Sequence, residues 1–239
     1  MQLFNGDCLE VMKSIPDKSV DLCITDAPYN FGNKGGGFYA DNKSTKRTYL
    51  NELMNLDCCD FIPKDFLNDI KPKMKKFYLY AFCNKTLIYD YIKFAMDNKY
   101  SFDVLCMGKT NPIPTYNNHH LSDLEYIIMI REKGTWFSNH KKMDDYRKFF
   151  ITQCKRGLHP AEKPVELLER FVRVSCPENG VILDPFMGSG STGVAAVKNH
   201  RDFIGIELDT KYFEIAKERI NEAAMLNSIA YKSTVGRSD

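Results

Sequence analysis

The chain has 239 residues, 44% hydrophobic and 27% charged, with a formal net charge of +2. These values exclude collagen-like, coiled-coil and wholly disordered chains, and the length suits one α/β domain with a small appendage better than two full domains. The longest apolar run, Phe77 to Cys83, has seven residues, against roughly 20 for a membrane span, and Met1 to Asp7 lack the basic-then-apolar pattern of a signal peptide. No membrane partner is therefore expected. The eight cysteines (8, 23, 58, 59, 83, 106, 154 and 176) include no C-x-x-C pair, and several lie in apolar runs where a thiol acts as a small hydrophobe. A reducing, cytoplasmic setting without a structural metal is expected.

In chain order, short apolar runs predict strands at 20–25, 77–83, 102–107, 126–131, 181–183 and 203–206. Most are continuous rather than alternating, as suits strands buried on both faces of a parallel sheet. Helical patterns separate them. Asn84 can cap one carrying Ile88, Tyr91, Ile92, Ala95 and Met96, and Pro164 fits the first turn of one with Val165, Leu168, Phe171 and Val172 inward. Asp209 can cap a third, carrying Tyr212, Ile215, Ala216, Arg219, Ile220 and Ala223. This alternation predicts a doubly wound α/β sheet. Residues 31–60, with Gly32, Gly35, Gly36 and Gly37, read as a mobile loop within a single domain spanning 1–239. From Arg131 to His159, eight basic residues outnumber three acidic ones, with Trp136, Phe137 and Tyr146 interleaved. That mixture suits a phosphate-tracking, base-stacking surface, although a solvated loop has the same composition.

Residues 181–193 read as a strand, a glycine-rich turn and a helix start. Gly188, Gly190 and Gly193 satisfy G-x-G-x-x-G, in which a ligand can press against bare backbone above a helix N-terminus. Glu207, nineteen residues after Gly188 at the end of the next predicted strand, is placed to accept both ribose hydroxyls of an adenosine. A dinucleotide or S-adenosylmethionine would fit. Only 49 residues follow Gly190, enough for one strand-helix unit, whereas a dinucleotide fold needs about two more beyond its loop. The other half of the fold must precede the loop.

That half contains Asp26-Ala27-Pro28-Tyr29-Asn30 at the end of the 20–25 strand, the edge at which open α/β sheets bind ligands. A capping Asp and a packing Tyr would look the same. Methylation of an exocyclic amine needs its lone pair aimed at an electrophile and a proton removed. The Asp26 carboxylate and the Ala27 carbonyl could accept the two N–H bonds, and Tyr29 could stack on an extruded base.

With these motifs in this order, the chain resembles the β-class, circularly permuted DNA amino-methyltransferases from Gly6-Asp7-Cys8 to about Ile220. The resemblance implies a Rossmann-like S-adenosylmethionine-dependent methyltransferase fold with a largely parallel, doubly wound sheet. It places the catalytic tetrapeptide on Asp26, Ala27, Pro28 and Tyr29. The cofactor loop falls on Asp184, Phe186, Gly188, Ser189, Gly190 and Thr192, the ribose-binding acid on Glu207, and the adenine-facing opening on Asp7 and Cys8. Lys163, within His159 to Pro164, resembles a segment near the cofactor's methionine end. Asn111 to Pro114 and Glu125-Tyr126 resemble a segment around the target-base pocket. Ala27 departs from the family's proline, at some cost in turn rigidity.

A short recognition segment, 131–158, would offer DNA Lys141, Lys142, Arg147, Lys148, Lys155 and Arg156. Its shortness implies a short target site, loose specificity or help from the 31–60 loop. The implied reaction is methylation of the 6-amino group of adenine in DNA. The family's cytosine 4-amino branch usually carries Ser where this chain has Asp26. A catalytically silent DNA-binding subunit and a nicotinamide-dependent oxidoreductase are the competing readings. A bacterial or phage origin follows only from the resemblance, and a homodimer stays open.

Overall fold

The computed structural model describes residues 1–27, 63–112, 120–153 and 162–235. Pro28, Tyr29, the 31–60 loop, Lys155 and Arg156 lie outside the described residues. The elements in chain order are β1 (Gln2–Asn5), α1 (Cys8–Met12), β2 (Leu22–Thr25), α2 (Pro63–Ile70), β3 (Tyr78–Cys83), α3 (Ile88–Asp97) and β4 (Ser101–Lys109). They continue with β5 (Leu124–Arg131), β6 (Phe149–Thr152), α4 (Val165–Ser175), β7 (Val181–Asp184), α5 (Ser191–Lys198), β8 (Asp202–Glu207) and α6 (Thr210–Val235).

The strands form one sheet in the order β1-β8-β7-β2-β3-β5-β4-β6. All neighbours pair in parallel except β5, which runs against both β3 and β4. Every residue of β2 and β3 is buried, which explains why both read as unbroken apolar runs: helices cover both faces. Helices α1, α2 and α3 pack on one another, as do α4, α5 and α6. The long apolar strands β3 and β5 pair over six residues, Tyr78 with Arg131 through Cys83 with Tyr126.

The sequence reading misses β1 and β6. Gln2 to Asn5 has only two apolar residues, and its pairing with β8, Gln2 opposite Ile204 through Asn5 opposite Glu207, depends on residues 202 positions away. Phe149 to Thr152 lies inside the basic segment, yet pairs in parallel with β4 and closes the sheet. The segment 131–158 is therefore partly sheet edge rather than wholly an inserted loop. Two helix starts also differ. Asn84 Oδ1 accepts the N–H groups of Thr86 (3.0 Å) and Leu87 (3.2 Å), capping the turn ahead of α3, and Pro164 stands just before α4 rather than in its first turn. Asp209 caps as expected, Oδ1 accepting Tyr212 N–H at 3.0 Å.

Two glycines let α5 sit close to its neighbours. Gly190 has φ of 83°, and a Cβ there would lie 2.9 Å from Ala216 Cβ and 3.0 Å from Ala216 Cα. A Cβ on Gly193 would lie 2.8 Å from Phe203 Cε1 and would also run into Ile220. Left-handed strain and overpacking then act together. Gly190→Ala should cost about 2 kcal/mol or more, on the scale of those two effects. Gly6→Ala, whose Cβ would meet only Val11 at 3.4 Å, should cost much less. Urea denaturation of both variants measures the difference, and equal midpoints would contradict the packing argument.

Candidate active site

The parallel run β1-β8-β7-β2 brings four carboxylates to one edge of the sheet. Glu207 and Asp184 end β8 and β7, Asp26 follows β2 by one residue, and Asp7 follows β1 by two. Parallel strands share their C-terminal edge, so residues scattered over 200 positions become neighbours there. Because β5 runs the other way, its first residues lie at this same edge, with Glu125 opposite Met107 and Tyr126 opposite Cys83. Lys109, which ends β4, joins them.

Asp26 is the centre of that edge. Its Oδ2 accepts a hydrogen bond from Lys163 Nζ at 2.5 Å, while its Oδ1 is buried and has no hydrogen-bond partner among the described residues. Lys163 has 8% of its side chain exposed, lies 3.4 Å from Glu125 Oε2 and sits 5.2 Å over the Phe82 ring. Glu125 in turn accepts Lys109 Nζ at 2.5 Å. Burial pushes the Asp26 carboxyl above the usual carboxylate range, and Lys163 works against that rise. Burial would raise Glu125 too, but its two lysines prevail and hold it low. Lys163 thus stands against Asp26, the first residue of the Asp26-Ala27-Pro28-Tyr29 motif. Asp26 Oδ1 is the notable atom, an acceptor out of water that lacks a donor.

The glycine loop is wired to two acids. Glu207 Oε2 accepts Gly188 N–H at 2.8 Å and Oε1 accepts Asp209 N–H at 2.9 Å, fixing the carboxylate at the loop's mouth. Asp184 Oδ1 accepts Phe186 N–H at 3.1 Å, and Thr192 bonds the same carboxylate. Burial pushes Asp184 up to about 7, with Asp26 and Glu207 adding to the rise. Ser191 Oγ, at the N-terminus of α5, is buried without a partner among the described residues. Buried acids, bare backbone and an unmet hydroxyl favour a ligand that is cationic and carries hydroxyls or amines.

The remaining expected residues are placed unevenly. Asp7 caps α1, Oδ1 accepting Leu9 N–H (2.9 Å) and Glu10 N–H (3.2 Å), and Cys8 is a buried thiol pushed up to about 12. Both lie beside Glu207, since Gly6 N–H donates to its carbonyl at 3.0 Å. Phe186 packs 5.5 Å from Phe66. Ser189 is tied by Arg219, which donates to its carbonyl (2.6 Å), its Oγ (2.9 Å) and Glu162 Oε1 (2.7 Å), joining the glycine loop to the segment carrying Lys163. The sequence pattern names Arg219 among the residues of the helix capped by Asp209, without a role. A guanidinium on an apolar stripe was the available signal.

In the basic segment, Lys142 lies 3.9 Å from Asp145, Arg147 2.8 Å from Asp144, and Lys148 pairs with Asp103. These pairs weaken the positive field that a count of lysines suggests, although the cations stay well exposed and Lys141 is exposed beside them. The segment is anchored by Asp145, whose fully buried carboxylate takes two bonds from Arg173 at 2.6 and 2.8 Å. Tyr146 OH donates to the carbonyls of Ser138 and His140. Trp136 and Phe137 remain exposed on this anchored loop.

Comparison with known proteins agrees with this layout. Residues 20–218 match the DNA methylase family of N6-adenine and N4-cytosine enzymes. The Type II methyltransferase M.HinfI of Haemophilus influenzae is 26% identical over 92% of this chain and 68% of its own length. M2.LlaDCHI of Lactococcus lactis subsp. cremoris, another Type II methyltransferase, is 28% identical over 93% and 90%. The crystal structure of M1.HpyAVI in complex with SAM superposes with a TM-score of 0.68 at 27% identity, covering 92% of this chain and 98% of that one. PvuII DNA methyltransferase, cytosine-N4-specific, shares the fold with a TM-score of 0.64 at 17% identity, covering 94% and 91%. With Asp26-Ala27-Pro28-Tyr29 preceding its glycine loop, the chain belongs to the DNA methylase family, in the β class of N6-adenine and N4-cytosine amino-methyltransferases.

Proposed function

We propose that this DNA methyltransferase transfers the methyl group of S-adenosylmethionine to the 6-amino group of adenine in DNA. The observation that carries the reading is Asp26: one carboxylate oxygen is held by Lys163, and the other is buried without a partner among the described residues. A carboxylate paired with a lysine is a pure acceptor. It suits an exocyclic amine and repels a carbonyl at the same place, which excludes the oxo edges of thymine and guanine. Guanine also bears an amine, but the family acts on adenine N6 and cytosine N4, and between those two Asp at this position supports adenine, because the cytosine branch of the family usually carries Ser.

The cofactor fits the residues present. S-adenosylmethionine supplies a methyl group on a sulfonium and is cationic overall, which suits the Asp184 and Glu207 edge. Glu207 would take the ribose hydroxyls. Asp184, Ser191 and the backbone above Gly188 and Gly190 would take the amino-acid end. Asp26 Oδ1 would accept one N–H of the target amine and orient its lone pair at the methyl carbon. S-adenosylmethionine would supply the methyl carbon and leave as a neutral thioether, and the target amine, cationic once methylated, would lose one proton toward Asp26 or water. Tyr29 would stack on the extruded base. Lys141 and its neighbours would contact phosphates.

Transfer of labelled methyl from S-adenosylmethionine to unmethylated bacterial DNA tests the reading. Asp26→Ala should abolish transfer while cofactor binding persists, because the glycine loop does not use this side chain. Transfer at the wild-type rate would refute the assignment. Glu207→Ala should weaken cofactor binding by about 1–3 kcal/mol, the scale of bonds to a charged acceptor, measured by calorimetry. A raised carboxyl is protonated below its pKa, and a cationic ligand prefers the ionised form. Cofactor affinity should therefore fall as the pH drops through about 7, the value to which burial pushes Asp184. Asp184→Asn should flatten that dependence, and an unchanged slope would remove Asp184 from the site.

A further inference from the structure

Lys163 does more than touch Asp26. It is the second member of a chain of alternating charges, Asp26–Lys163–Glu125–Lys109, with contacts of 2.5, 3.4 and 2.5 Å. None of the four side chains is more than about a quarter exposed. Glu125 bridges two lysines, Oε1 to Lys109 and Oε2 to Lys163, and the Phe82 ring lies beneath the Lys163 ammonium. The ammonium is therefore walled on three sides and has one defined position. Each link comes from a different element: Asp26 follows β2, Lys163 precedes α4, Glu125 opens β5 and Lys109 ends β4. The reversal of β5 is what brings Glu125 to this edge.

Buried ion pairs are weak sources of stability, because desolvation offsets most of their attraction, and apolar replacements often do as well. What such a chain does supply is orientation. A free carboxylate rotates about its last bond, so either oxygen could turn toward a ligand. With Oδ2 held, Oδ1 is the oxygen left to meet a target amine. We propose that Lys163 is a positioning residue for methyl transfer, fixing Asp26 as an ionised acceptor with one oxygen presented to the amine, and that Glu125 and Lys109 hold Lys163 at that post. The proposal rests on the reading of Asp26 as the group that meets the target amine. The charge chain itself does not depend on that reading.

Among the described residues, the Asp26 charge also reaches Asp184 at the end of β7, the Cys83 thiol of β3 and the Tyr91 hydroxyl of α3. Burial pushes Cys83 up to about 12 and Tyr91 higher still, so both stay neutral through the range of interest, whereas Asp184 titrates within it.

The test is a carboxyl titration of full-length protein labelled with ¹³C at aspartate side chains, followed by NMR. Asp26→Asn and Asp184→Asn assign the two resonances. Lys163→Met should raise the Asp26 midpoint by about one pH unit or more, since the desolvated carboxylate loses its counter-ion. Lys163→Arg should restore most of the wild-type value. Glu125→Gln should lower the midpoint, because it removes a neighbouring anion and leaves Lys163 wholly to Asp26. Shifts of opposite sign from two neighbouring substitutions would not arise from loosened packing. The acidic limb of the single-turnover methylation rate should move with the midpoint in each variant. An Asp26 midpoint unmoved in Lys163→Met, or shifts of the same sign in both variants, would overturn the proposal while leaving adenine methylation standing. Opposite shifts in a wild-type background that transfers no methyl to DNA would instead overturn the functional reading, and would keep the charge chain as the device that orients Asp26.

Discussion

A carboxylate at the end of a fully buried strand must either take up a proton or acquire a cation. Asp26 follows β2, whose residues are all buried, and its counter-ion is the Lys163 ammonium at 2.5 Å. Much of the surrounding architecture follows from that requirement. Lys163 is itself nearly buried, so it needs Glu125. Glu125 is pulled toward neutrality by its own burial and held ionised by Lys163 and Lys109. Charges withdrawn from water are tolerated when each has an opposite neighbour in good geometry. Asp26 Oδ1 is left without a donor among the described residues, and a buried acceptor of this kind calls for a ligand with a donor.

The sheet makes the arrangement available. Parallel strands β1, β8, β7 and β2 deliver Asp7, Glu207, Asp184 and Asp26 to one edge, and the reversed β5 adds Glu125 from the opposite chain direction. Chain order is irrelevant to this geometry. Strand β2 comes early in the sequence and β7 late, yet Leu22 pairs with Ile182 and Cys23 with Leu183. The glycine loop after β7 and Asp26 after β2 therefore meet at the β2–β7 seam whichever strand is translated first. Arg219 adds a second tie by joining the glycine loop to the segment that carries Lys163.

What could be read from the sequence divides along physical lines. The strands around the seam were legible because two-sided burial writes continuous apolar runs, and the glycine loop because close packing against Ala216 and Ile220 admits no side chain at Gly190 or Gly193. Asp26 and Glu207 were legible because each ends an apolar run. The partners of Asp26 were not all legible. Lys163 appeared only in a segment assigned to the cofactor's methionine end, and Lys109 looked like any strand-terminal lysine. Their proximity is created by pairings between β3, β5 and β4 that no local pattern encodes. Strands β1 and β6 escaped for the same reason: each is four residues long at a sheet edge and held by distant partners. The basic segment was legible as charge, but not as charge already facing Asp103, Asp144 and Asp145.

The central claim is that Asp26 presents an acceptor to the amino group of adenine. The most direct measurement is nucleoside mass spectrometry on DNA from a methylation-free bacterium expressing the protein. The account predicts N6-methyladenine, absent when Asp26→Ala is expressed at the same level. N4-methylcytosine in its place, or N6-methyladenine that survives Asp26→Ala, would contradict it.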